Sequence, residues 1–80
     1  MTEDICQKTA LRILQRRREK AFSQEELGLA INKSQAWINQ IESGKRNVNL
    51  KNLNDIAAAL ECNFSDLLPE QPIPVEDNND

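Results

Sequence analysis

An all-α fold of five short helices is what this 80-residue sequence predicts, and three observations predict it. Capping residues recur just ahead of apolar-periodic stretches: Ser23, with Glu26 three residues on, then Ser34, then Asn49. The apolar residues repeat at helical spacing. Between the stretches opened by Ser23 and Ser34 there is room for a turn of only about three residues, the length of a helix-turn-helix connection. With 39% apolar and 29% charged residues, the chain supports one small domain and leaves no mass for a second.

The first helix is expected from Ile5 to about Lys20, where Cys6, Ala10, Ile13, Leu14 and Arg17 fall on one side. One charge, Arg17, therefore points inward. Phe22 precedes the Ser23 cap and fits the hydrophobic staple, packing toward Leu27. From Ser23 to Gly44 the chain reads SQEELGLAINKSQAWINQIESG, two helices and a turn. Leu27 and Ile31 share a face of the second helix, and Ile38 and Ile41 a face of the third. Gly28 lets these two helices approach closely, and Asn32 supplies the left-handed backbone that the turn needs.

Gly44 ends the third helix, and Lys45, Arg46 and Asn47 follow as a short polar loop. Asn49 caps a fourth helix from Leu50 to about Glu61, with Leu53, Ile56, Ala57 and Leu60 as its core stripe. Ser65 is expected to cap a last short helix containing Leu67 and Leu68, which Pro69 terminates. Residues 1–68 thus make the domain. Residues 69–80, with Pro69, Pro72, Pro74 and the EDNND end, are expected to be an acidic disordered tail.

Composition excludes more than it selects. There is no His, and Cys6 and Cys62 stand far apart without a CxxC pair, so no metal or cofactor is expected and two reduced, partly buried thiols are. Glu25 and Glu26 occupy the first turn of a helix, where carboxylates favour the dipole rather than acid–base chemistry. An enzyme and a small-molecule substrate are not expected, for want of mass to enclose a pocket. No leader pattern and no run of roughly eighteen apolar residues is found, so the expected location is the cytoplasm, with no membrane partner. The formal charge of −3 divides unevenly. Ile5 to Ser65 holds ten Lys and Arg against six acidic residues, a net of +4, and the termini carry the balance.

Gln35, Ala36, Asn39 and Gln40 lie at the front and outer face of the third helix. Gln and Asn can pair bidentately with adenine in the major groove, and a small Ala fits against a thymine methyl. Singly such residues are ordinary helix surface; together, on the second helix of this motif, they resemble a reading surface for duplex DNA. The stretch from about Arg17 to Leu68 resembles the Cro and lambda-repressor-like (XRE-type) regulators, and GKRNVNL from Gly44 to Leu50 looks like the connection in restriction-modification controller proteins. Gly28, Lys33 and Trp37 depart from the family pattern, in which Ala, an apolar residue, and Tyr or a small residue are usual.

The resemblance implies a lambda-repressor-like DNA-binding domain with Gln24 on a phosphate and Gln35 and Gln40 reading bases. The DNA-contacting set it implies is Gln24, Lys33, Ser34, Gln35, Ala36, Trp37, Asn39, Gln40, Lys45, Arg46 and Asn47. Lys45 and Arg46 would hold phosphates. Trp37 has two readings, packing on the loop after Gly44 or donating its indole N–H to a phosphate. By the same pattern Arg17 pairs with Glu42 as a structural ion pair. A single reading helix buries too little surface for regulator-like affinity, so a homodimer through Phe64, Leu67 and Leu68 on a pseudo-palindromic operator is expected. The function implied is sequence-specific transcriptional regulation, as in a restriction-modification controller protein. The other reading is an antitoxin-like or anti-repressor protein whose main partner is another protein.

Overall fold

A computed structural model of the protein describes residues 5–68, with side chains from Gln7 onward. The expected burial of Cys6 and the expected tail from 69 to 80 lie outside these residues. Four α-helices, α1 (Ile5–Glu19), α2 (Gln24–Ala30), α3 (Gln35–Glu42) and α4 (Leu50–Ala59), are followed by a 3₁₀ turn over Phe64–Leu67, and there is no strand among the described residues. The fold is all-α, with four helices and a closing turn in place of five helices. That turn is capped two residues earlier than expected, because the Asp66 carboxylate accepts from the Asn63 N–H at 3.0 Å while Ser65 lies inside it. None of the described helices is long and apolar enough to cross a membrane.

All four α-helices end the same way. In α2 the N–H of Asn32 donates to Leu29 O at 3.3 Å and that of Lys33 to Gly28 O at 2.7 Å, the paired reverse bonds of a Schellman ending. Asn32 takes the left-handed conformation this requires, with φ 62°. Ala21 (φ 61°), Gly44 (φ 78°) and Glu61 (φ 57°) do the same after α1, α3 and α4. At α4 the bonds Glu61 N–H to Ala58 O and Cys62 N–H to Ala57 O stop the helix at Ala59, short of the expected end near Glu61.

Ile13 of α1, Leu27 of α2, Ile38 and Ile41 of α3, Leu53, Ile56, Ala57 and Leu60 around α4, and Leu67 of the closing turn form one core. Phe22, Ile31, Trp37, Val48 and Phe64 pack against it, whereas Leu14 is only half-buried. Leu67 is fully buried, so of the three residues expected at a dimer interface only Phe64 and Leu68 keep surface to offer. Its side chain serves the protomer's own core because the turn packs against both α1 and α4. Cys62 is a free, half-buried thiol, and burial pushes its pKa up.

Candidate nucleic-acid interface

The turn between α2 and α3 is fixed at both ends by the sequence. Ser23 Oγ accepts from the Glu26 N–H at 3.0 Å while Glu26 Oε1 accepts from the Ser23 N–H at 2.8 Å, a complete capping box. Ser34 Oγ accepts from the Trp37 N–H at 3.0 Å and starts α3. Gly28 faces the turn itself: a Cβ there would lie 2.5 Å from the Lys33 carbonyl oxygen. The close approach is thus between α2 and the connecting backbone.

Behind this unit stands an ion pair joining α1 to α3. Arg17 Nε donates to Glu42 Oε2 at 2.6 Å and Nη2 to Oε1 at 3.1 Å, with side chains 11% and 4% exposed. The third guanidinium nitrogen, Nη1, donates to the Phe22 carbonyl oxygen at 2.6 Å, so one side chain holds α1, the chain entering α2, and α3 in register.

From Glu42 a chain of amides leads outward. Gln24 Nε2 donates to Glu42 Oε1 at 3.0 Å, and Gln24 Oε1 accepts from Gln35 Nε2 and, at 3.5 Å, from Asn39 Nδ2. Gln24 and Gln35 each follow the serine that caps their helix, so the repeated Ser-Gln places both amides at corresponding first-turn positions. Spacing alone held that signal, but it did not reveal that Glu42, assigned only to the ion pair, also holds Gln24.

Gln35, Ala36, Asn39 and Gln40 are exposed on α3. Gln40 Oε1 accepts from Arg46 Nε at 2.8 Å, which ties the loop after α3 to its last turn and leaves Gln40 its two N–H donors. Lys45, Arg46 and Asn47 are all exposed beside it. Trp37 is half-buried against the core with Lys33 Nζ 5.0 Å from its ring centroid, a cation over a π-face. Lys33, the departure in the turn, thereby gains an aromatic contact for its charge. The residues expected to contact DNA lie on α3, in the turn before it at Lys33 and Ser34, at the helix start at Gln24 and in the loop at 45–47. No group of three or more metal-ligating residues comes together among the described residues.

A polar, uncharged helix face flanked by cations and braced from behind by an ion pair defines a helix-turn-helix domain of the DNA-binding class. The helix-turn-helix family HTH_3 matches residues 13–67, and the chain belongs to this family of DNA-binding transcription regulators. Among solved structures it is similar to the restriction-modification controller protein C.AhdI from Aeromonas hydrophila, with 30% identity and a TM-score of 0.76 over 79% of this chain and 91% of that one. It is also similar to the P22 c2 repressor solved with a synthetic operator (32% identity, TM-score 0.71, 78% and 94% covered). A third is the controller protein C.Esp1396I, solved as a tetramer on its natural 35 base-pair operator (29% identity, TM-score 0.74, 82% and 87% covered). Sequence comparison with curated proteins gives no match.

Proposed function

We propose that this transcription regulator acts as a homodimer that reads a pseudo-palindromic operator, in the manner of a restriction-modification controller protein. The observation that carries the reading is the exposed row Gln35, Ala36, Asn39 and Gln40 on α3, with Lys45 and Arg46 beside it. Residues 1–68 form the DNA-binding domain, and the acidic residues after it keep the whole chain soluble at a net charge of −3. Gln24 holds a phosphate at the edge of the groove, α3 enters it, and Lys33, Ser34, Trp37 and Asn47 complete the contact set. Phe64 and Leu68 meet their counterparts in the second copy, which sets two reading helices about 34 Å apart, one turn of DNA. The likeness to C.AhdI and C.Esp1396I, of similar length, supports the controller role.

Footprinting on the DNA flanking its own gene tests this, combined with sedimentation at micromolar concentration. Two protected half-sites one turn apart and a dimer are the expected result. A monomer both free and on DNA, or no protected site, would overturn it.

A further inference from the structure

We propose that Glu42 is a positioning residue which, through Gln24, sets the hydrogen-bonding pattern that Gln35 offers to a base. The inference rests on the DNA-reading role proposed above and goes beyond it by naming what decides the base.

Both oxygens of Glu42 already accept from Arg17, so Glu42 offers its neighbours acceptors only. Gln24 has one way to meet it, with the amide nitrogen inward, at 3.0 Å. Its carbonyl oxygen is then turned outward, and only a donor can satisfy it. Gln35 supplies that donor with Nε2, and Asn39 supplies a longer one at 3.5 Å. One carboxylate therefore fixes the polarity of every amide in the chain, from a side chain 4% exposed to residues on the surface.

The consequence lies in what Gln35 has left. One of its two N–H groups is spent on Gln24, and the carbonyl and the second N–H remain. An acceptor beside a donor matches the N6–H and N7 edge of adenine. Guanine presents two acceptors, O6 and N7, and would need both N–H groups of one amide, which Gln35 no longer has. The relay thus excludes guanine by withdrawing a donor. A glutamine released from Gln24 regains that donor and the freedom to turn its amide over.

The test is selection from a pool of randomised duplex DNA by the full chain, followed by titration on duplexes differing only at the position whose preference Gln35→Ala abolishes. The wild-type protein should favour adenine over guanine there. Gln24→Met keeps the side-chain length but removes all three side-chain hydrogen bonds, and it should cut the adenine-to-guanine affinity ratio by about tenfold, within the range of one bidentate contact. Glu42→Gln, which gives the relay a residue able to donate as well as accept, should cut it similarly. Glu42→Gln also weakens the Arg17 pair, so if it fails to fold, Gln24→Met at its half-exposed site decides alone. A ratio unchanged in every folded variant, with affinity lowered equally on all duplexes, would overturn the proposal, leaving Gln24 as a phosphate holder and Glu42 as a brace. Failure of the wild-type protein to enrich any sequence would instead overturn the DNA-reading role.

Discussion

A methyl group on residue 28 would sit 2.5 Å from the Lys33 carbonyl oxygen and 3.2 Å from that of Ser34, and both are backbone atoms that cannot swing aside. Replacing a helical glycine by alanine ordinarily gains up to about 1 kcal/mol. Forcing a carbon into a closed space costs about 1–3 kcal/mol, so the clash wins. Gly28→Ala should therefore lower Tm by a few degrees in a thermal melt, although alanine is usual there in proteins this chain resembles. The glycine was legible in the sequence as a point of close approach. What it approaches was not, because only the folded turn brings the Lys33 carbonyl back over α2. Asn32 was legible as a left-handed residue, whereas Ala21 and Glu61 take the same conformation with nothing in their side chains to announce it.

Between elements, Arg17 is the strongest tie, since it bonds Glu42 twice and the Phe22 carbonyl once. Arg17→Ala leaves a carboxylate in a side-chain environment only 4% exposed, and Glu42→Ala leaves the guanidinium with one of its three hydrogen bonds, that to Phe22. Each should cost about 3 kcal/mol in denaturant unfolding, and the double variant should cost less than the two together. A second tie joins the ends of α1 and α4, where the Lys20 ammonium, by hydrogen bond and charge, holds the Glu61 carboxyl below the usual carboxylate range. A lowered folded value means stability present above the unfolded value and lost as pH falls through the lowered one. Glu61→Gln should melt slightly below the parent at neutral pH and low salt. The difference should vanish in acid, and also in high salt, because the pair is exposed. Helix starts were legible because their caps lie within three residues of the groups they satisfy. The closing turn was misread by two residues because Asn63 and Ser65 are both capping types and only packing chooses between them.

For the molecule as a whole, the sign of the charge depends on where it is measured, and the binding measurement should follow the local sign. Lys45→Ala should weaken binding to operator and scrambled duplexes alike. It should flatten the plot of log affinity against log salt by about one unit per lost phosphate contact, hence about two for a dimer. Gln35→Ala should lose operator affinity only, roughly 1–3 kcal/mol per half-site, in the same titrations. That Gln35, Ala36, Asn39 and Gln40 share one exposed face was legible because a helix face is fixed by spacing. Their division into braced and unbraced members was not: the relay from Glu42 runs between residues eleven to eighteen apart in sequence, and Leu67 reads from sequence as an outward apolar residue when it is part of the core.

That burial of Leu67 has a bearing on how the protein is made. The closing turn packs against α1 as well as α4, so α1, made before the other three helices, waits for nearly the last residues of the domain before its apolar side is covered. The reading helix lies midway along the chain, yet it rests on a core left open until Leu67 has been synthesised. A nascent chain stalled just before that point holds every residue expected to touch DNA and lacks the side chain that closes the core on which they stand.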